Sequence, residues 1–136
     1  MPVDPNVLRY RVEDIRSAIS ELEDLVSKPF EELSSHEKYS MRYLIISLVE
    51  ALVSLCAHIS VEKYGRSLTS YRDVIRFTCQ RLDVRCVDDL EALVSLRNLL
   101  IHRYWTIDDR QVYNSVKRDF RCVEHFLRRV REVFLE

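Results

Sequence analysis

The residues between Ser34 and Gly65 constrain the fold of this chain more than any other segment. Ser34 and Glu37 stand three residues apart, the spacing of a capping box that begins a helix, and Gly65 is the residue type that most often ends one. From Tyr43 to Val61 the segment is apolar almost all round. A helix of this kind must be enclosed by other elements on nearly every side. We therefore predict a central, buried helix around which the rest of the chain is organised.

The scarcity of turn-forming residues points to the same fold class. The 136 residues include one glycine and three prolines, too few for an all-β fold with its many tight turns. Apolar residues recur at spacings of three and four in the other segments, which predicts amphipathic helices. Residues 1–136 are expected to form a single all-α domain, a bundle of about five helices.

Local capping signals predict where the helices begin and end. Pro29 is expected to end the first helix, and the last helix is expected to continue unbroken to the end of the sequence. The residues expected to begin the first, third, fourth and fifth helices are Asp4 with Pro5, Ser70, Asp88 or Asp89, and a capping box from Thr106 to Asp109.

The four cysteines, Cys56, Cys79, Cys86 and Cys122, form no CxxC pair and stand beside no histidine at metal-ligand spacing. We expect reduced core thiols, rather than a disulfide framework or a zinc site, in a cytoplasmic protein. No signal peptide is visible, and we expect no membrane-spanning segment, no metal and no cofactor. The net charge of −1 gives no global nucleic-acid signature.

Four polar residues interrupt the apolar surface of the central helix. Ser47, Glu50, Ser54 and His58 recur at spacings of three, four and four, so they form one stripe. The stripe has two interpretations: an edge of the helix that meets water, or the lining of a cleft or subunit interface.

Arg97 lies where the apolar stripe of the fourth helix, between Val94 and Ile101, should continue. Because an unpaired buried guanidinium is very costly, Arg97 must meet a partner, water or a cleft. One interpretation is an intramolecular ion pair, with Glu50 as the candidate partner. The other is an anion site, since the guanidinium fork matches phosphate oxygens.

His102 follows Arg97 by five residues, about 140° around an ideal helix, so the two do not share one helical face. Trp105 and Thr106 suggest that the helix ends near His102. A histidine there suits the helix dipole. Beside an arginine it also suits metal-independent phosphodiester cleavage, in which an imidazole transfers protons and a guanidinium stabilises the charged phosphorus centre. With one such histidine per chain, the acid and base roles would draw on two subunits.

The segment RNLLIHRY, residues 97–104, consists of an Arg, four residues, a His, one residue and a Tyr. This R-x4-H-x-Y motif resembles that of the HepT-like toxins of the HEPN superfamily. The resemblance extends over nearly the whole chain and includes the segments MRYLIISLVEALVSLCAHIS and SYRDVIRFTCQRL. It implies an HEPN-like helical homodimer with two Arg–His motifs in a shared cleft. It also implies an RNA endonuclease that acts as the toxin of a type II toxin–antitoxin system.

The resemblance implies a role for each residue of the motif. Arg97 and His102 would be catalytic, and Tyr104 would receive AMP from ATP, added by a minimal nucleotidyltransferase antitoxin. The residues expected to support the cleft are Asn98, Glu50, Ser54, His58 and Arg103.

Two residues depart from the family pattern. Relatives often have an acidic residue where this chain has Ser54, and Glu where it has Arg103. The first departure would weaken catalysis if the acidic residue takes part, and the second makes the cleft more basic. The alternative function is therefore a catalytically inactive HEPN subunit that binds a nucleotide or serves as an adaptor in a nucleotidyltransferase complex.

Overall fold

The computed structural model describes residues 3–118 and 120–136, and within them it contains six α-helices and no strand. This confirms the predicted all-α class. A 3₁₀ turn, Phe30–Glu32, follows the first helix, and a π-helical turn, Arg131–Leu135, follows the last. The helices are α1 (Pro5–Leu25), α2 (Ser35–Tyr64), α3 (Tyr71–Arg81), α4 (Val87–His102), α5 (Asp109–Lys117) and α6 (Arg121–Val130).

Helix α2 is the predicted central helix, and both of its caps are confirmed. The Ser34 hydroxyl accepts from the backbone N–H of Glu37, whose carboxylate accepts from the backbone N–H of Ser34. Gly65 ends the helix in the left-handed conformation, with a φ of 66°. Helices α1, α3, α4 and α5 all pack against α2. The core helix therefore fixes the positions of most other elements.

The length and composition of α2 do not by themselves distinguish a core helix from a membrane-spanning one. Its length of 30 residues and a mean hydropathy of 2.1 over an 18-residue window are sufficient for a membrane span. In the folded chain 61% of that window is buried among the other helices. The apolar character of α2 is thus satisfied by the bundle itself.

Helix α1 begins as predicted, with the Asp4 carboxylate accepting from the backbone N–H of Asn6 at 2.9 Å. It ends at Leu25, before the predicted stop at Pro29. The segment between this end and Pro29 is held by α5, because the Tyr113 hydroxyl donates to the carbonyl of Lys28 and the Lys117 ammonium to that of Val26.

The predicted fifth helix is two helices in the structure. Residue Phe120, just before α6, has a non-helical backbone (φ −116°, ψ 36°) and is buried. The capping box of α5 is formed by Asp108 and Gln111, not by Thr106 and Asp109 as predicted. The Thr106 hydroxyl donates instead to the carbonyl of residue 103, which closes the turn after α4. The apolar stripe continues across the break, so periodicity alone did not reveal it.

The start of α4 also differs from the prediction. Cys86 precedes the helix, and Asp88 and Asp89 lie in its first turn, where negative charge suits the helix dipole. Cys86 is joined to Cys122 by a disulfide, with 5.9 Å between the two Cα atoms. The prediction that all four cysteines are reduced is therefore wrong for this pair, because α4 and α6 bring together residues that are 36 apart in sequence. The other two cysteines are free and buried, as predicted.

Reduction of the Cys86–Cys122 disulfide is expected to lower the stability of the fold. Closing a loop with a sequence separation of 36 residues constrains the unfolded chain by about 3 to 4 kcal/mol. We expect the Tm in calorimetry to fall by roughly 10 °C when a dithiol reductant is added. The double variant Cys86→Ser/Cys122→Ser is the control, because its Tm should not respond to the reductant. A wild-type Tm that is insensitive to the reductant would contradict the expectation.

Candidate active site

Arg97 points from α4 towards α2 and forms an ion pair with Glu50. Its Nε lies 2.8 Å and its Nη2 2.5 Å from the same carboxylate oxygen, Oε1. The Arg97 side chain is 16% exposed and that of Glu50 is 42% exposed. Of the two interpretations of Arg97, the ion pair is thus present in the fold. Phosphate binding would require the guanidinium to serve a second anion as well.

Tyr71, the first residue of α3, completes this cluster, and sequence reasoning missed it. Its hydroxyl donates to the other carboxylate oxygen of Glu50, Oε2, at 2.8 Å. The Arg97 guanidinium lies over the Tyr71 ring, 4.9 Å from the centroid, in a cation–π contact. The hydrogen bond to Glu50, and to a lesser extent burial and the Glu50 charge, raise the pKa of Tyr71 from its ordinary value. The phenol therefore stays protonated and remains a donor at neutral pH.

Asn98 helps to orient the guanidinium from within α4. Its side-chain oxygen accepts from Nη1 of Arg97 at 2.9 Å. An arginine has five N–H groups, and the contacts with Glu50 and Asn98 engage three of them. The remaining two are the groups with which Arg97 could hold an oxyanion.

The polar stripe of α2 is divided between two environments. Ser47, Glu50 and Ser54 line an open groove between α1 and α2, and Tyr43 stands at the same groove. His58 does not line it. The Nε2 atom of His58 is buried and has no hydrogen-bond partner among the described residues. The groove agrees with the cleft interpretation for the first three residues and leaves His58 outside it.

Helix α4 ends at His102, as the sequence indicated. His102 is exposed, and within the part of the chain described its side chain makes no hydrogen bond or ion pair with Arg97 or Glu50. Arg103 follows as an exposed capping residue. Tyr104 is 61% exposed and meets Trp105 edge to face, with 5.2 Å between the ring centroids. The motif is therefore distributed over a half-buried helix face and an exposed turn.

Arg42 of α2 holds that turn in place, a role that sequence reasoning also missed. It donates to the backbone carbonyls of Tyr104 and Ile107, at 3.0 and 2.8 Å, and to the carboxylate of Asp109 at 2.6 Å. Its side chain is 19% exposed. Together with the Arg97–Glu50 pair, these contacts show that α4 runs antiparallel to α2.

No cluster of three or more His, Cys, Asp or Glu side chains in residues 3–118 and 120–136 is arranged to hold a metal ion. The expectation of metal-independent chemistry remains a prediction, because it depends on the reaction and not on the fold.

Comparisons with known proteins give a consistent result. The model of the family described as Ribonuclease HepT-like matches residues 15–130. A protein of Archaeoglobus fulgidus named as a candidate RNase is 26% identical over 124 residues, which cover 90% of this chain and 89% of that protein.

Two solved structures have the same fold at low sequence identity. A toxin–antitoxin crystal structure with AMP-PNP superposes with a TM-score of 0.82 at 18% identity, covering 93% of this chain and 98% of that chain. Bacillus subtilis YutE, a cytosolic protein of unknown function, superposes with a TM-score of 0.71 at 18% identity, covering 91% and 88% of the two chains. These likenesses establish the shared helical fold alone.

Replacing Arg42 by Ala is expected to loosen the turn that carries Tyr104. The change leaves two carbonyls and the Asp109 carboxylate without their cationic donor, at a cost of about 1.5 to 3 kcal/mol. We expect the backbone N–H of Thr106, which donates to the carbonyl of Arg103, to exchange with solvent at least tenfold faster, a change of about 1.4 kcal/mol. Arg85→Ala is the matched control, because Arg85 is 90% exposed in a surface ion pair. Equal exchange rates in the two variants would show that Arg42 does not hold the turn.

Proposed function

The chain belongs to the HepT-like ribonuclease family, because the family model matches residues 15–130, and from this premise we propose that it is a metal-independent RNA endonuclease. We propose further that it is the toxin of a type II toxin–antitoxin pair. The observation that carries the first proposal is Arg97: its side chain is only 16% exposed, and Glu50 and Asn98 engage three of its five N–H groups, which leaves two for a phosphate.

The proposed reaction uses His102 and Arg97 in separate roles. An imidazole can take up and release protons near neutral pH. His102 removes the proton from a ribose 2′-hydroxyl, and the resulting oxygen attacks the neighbouring phosphorus. The bond from phosphorus to the 5′-oxygen breaks, and that oxygen leaves as a hydroxyl after gaining a proton. Arg97 stabilises the negative charge that builds up on the phosphate oxygens. The products are a 2′,3′-cyclic phosphate end and a 5′-hydroxyl end.

A homodimer is proposed because the reaction needs both a base and an acid, and the motif supplies one histidine per chain. The second proton of the reaction would come from the partner's His102, across a cleft shared by two copies. The α2 face that carries Glu50 supports this arrangement, since Tyr39 and Tyr43 lie on it at helical spacing and are both 67% exposed. Large exposed aromatic side chains next to a site are typical of an interaction surface.

The proposed antitoxin is a minimal nucleotidyltransferase that transfers AMP from ATP to Tyr104 in the cytoplasm. The exposure of Tyr104 on a turn tied to α2 supports it, because a modifying enzyme must reach the hydroxyl. The attached phosphodiester would bring a negative charge beside Arg97 and His102 and compete with RNA. The toxin–antitoxin structure with a similar fold was determined with AMP-PNP.

A second candidate function is a non-catalytic subunit that binds a nucleotide or serves as an adaptor. One observation favours it: the Glu50 carboxylate already contacts Nε and Nη2 of Arg97, the pair of donors that best binds two oxygens of an anion. Ser54, which stands where relatives often have an acidic residue, points the same way.

Removal of either motif side chain is expected to abolish RNA cleavage and thus to separate the two candidates. Arg97→Ala and His102→Ala should each slow cleavage of single-stranded RNA at least about 100-fold. EDTA should change the wild-type rate less than about twofold, since no metal takes part. The matched controls are Arg85→Ala and His36→Ala, which change exposed residues away from the motif. Nucleotide binding by the wild type without any RNA turnover would favour the non-catalytic subunit.

The His102→Ala variant also tests whether the site is shared. In a mixed dimer of one wild-type and one His102→Ala chain, the shared cleft would have only one of the two imidazoles that serve as base and acid. Cleavage by the mixed dimer should therefore be about as slow as cleavage by the His102→Ala homodimer. Cleavage at about half the wild-type rate in a verified mixed dimer would mean that each chain has a complete site of its own.

Co-expression with the antitoxin is expected to add AMP to Tyr104. Intact-mass analysis should show mass increments equal to whole AMP units, and peptide mapping should locate them on Tyr104. The Tyr104→Phe variant should lose the increments. Tyr43→Phe should keep them, because Tyr43 is a similarly exposed tyrosine that lies outside the motif. Increments that map to another residue, or none at all, would overturn this part of the proposal.

A further inference from the structure

The carboxylate of Glu50 is shared between two neighbours, one oxygen to each. Oε1 accepts from Nε of Arg97 at 2.8 Å, and Oε2 accepts from the Tyr71 hydroxyl at 2.8 Å. The same phenol ring lies against the face of the guanidinium. Three helices thus meet at one point: α2 through Glu50, α3 through Tyr71 and α4 through Arg97.

The Tyr71 hydroxyl restricts how Glu50 can hold the guanidinium. An arginine and a carboxylate prefer a bidentate pair, in which both oxygens accept from the guanidinium. Here the second oxygen is engaged by Tyr71, so Glu50 contacts Arg97 through Oε1 only. A carboxylate that holds the arginine through one oxygen competes less with an incoming phosphate than one that holds it through two.

The Tyr71 ring restricts the guanidinium in a second way. Because the ring lies 4.9 Å below the guanidinium carbon, it covers one face of the plane. The guanidinium can then move only parallel to the ring and cannot tilt. The two N–H groups that Glu50 and Asn98 do not engage therefore keep a defined direction. Asn98 limits rotation within that plane through its bond to Nη1.

We propose that Tyr71 is a positioning residue for Arg97: its hydroxyl keeps Glu50 from closing on the guanidinium with both oxygens, and its ring aligns the free N–H groups for a phosphate. The identity of that phosphate as part of RNA rests on the proposed function. The raised pKa of Tyr71 is consistent with the role, since the phenol donates to Glu50 throughout the neutral range.

Two substitutions separate the hydroxyl from the ring. Tyr71→Phe keeps the ring and releases Oε2 of Glu50. Glu50 should then bind the Arg97 guanidinium through both carboxylate oxygens. The KM for RNA should rise about tenfold, with a smaller change in kcat. Tyr71→Leu also removes the aromatic face and should lower kcat in addition. In a Glu50→Gln background, Tyr71→Phe should have less than a twofold effect, because no carboxylate remains to close on Arg97. A merely structural role would give the same loss in both backgrounds.

A binding measurement keeps this test independent of RNA cleavage. In the His102→Ala chain, the affinity for a 2′-O-methyl oligonucleotide, which lacks the attacking hydroxyl, should fall about tenfold on adding Tyr71→Phe. The Nε–H signal of Arg97 in nuclear magnetic resonance should shift with the same substitution. Tyr64→Phe is the matched control, since Tyr64 also lies beneath an arginine, Arg81, but away from the site.

The possible results distinguish this inference from the proposed function. Wild-type protein that binds the oligonucleotide but never cleaves RNA would refute the ribonuclease and leave the role of Tyr71 intact. An unchanged Arg97 signal and an unchanged affinity in Tyr71→Phe would overturn the positioning role, even for an active ribonuclease. A loss of affinity that is equal in the Tyr64→Phe control would also overturn it.

Discussion

The interaction on which the site depends is the ion pair between Arg97 and Glu50, the carboxylate within the apolar part of α2. Between Tyr43 and Val61, α2 contains one Asp, Glu, Lys or Arg residue, Glu50. Its partner Arg97 is only 16% exposed, so removing the carboxylate would leave a largely buried cation unpaired, at a cost on the order of 3 kcal/mol. The same carboxylate also accepts from Tyr71. The requirement to satisfy one charge therefore fixes α3 and α4 against α2 and produces the local geometry of the site.

The features that could be predicted from sequence are those set by nearby residues. The caps at Asp4, Ser34 and Gly65 were predictable because the donor and acceptor lie within a few residues of each other. The Cys86–Cys122 disulfide was not, because it depends on how α4 and α6 meet in space. The break before α6 was missed for a different reason: the apolar stripe continues through it, so periodicity gives no signal there.

The same distinction applies to the site. Arg97 was identifiable because a charge within an apolar stripe must be compensated, and Glu50 was a candidate because it interrupts α2. Tyr71 gave no comparable signal, since a tyrosine at the first position of a short helix is unremarkable. Arg42 lies on α2 among other polar residues, and its importance depends on carbonyls more than 60 residues away in sequence. The role of a residue that contacts a distant backbone or another side chain cannot be read from the spacing of residue types along the sequence.

The charge distribution limits how RNA could be recognised. A net charge of −1 provides little long-range attraction for a polyanion, so affinity must come from local cations near the motif. Arg97 is one of them, but Glu50 offsets much of its charge at short range. A site of this kind would bind RNA weakly in the ground state. The site would stabilise the transition state more than the bound substrate, because more negative charge then lies on the phosphate oxygens. That charge would face the two N–H groups of Arg97 that Glu50 and Asn98 do not engage. In the proposed ribonuclease, the Glu50 carboxylate would thus oppose substrate binding and favour catalysis by keeping the guanidinium aligned.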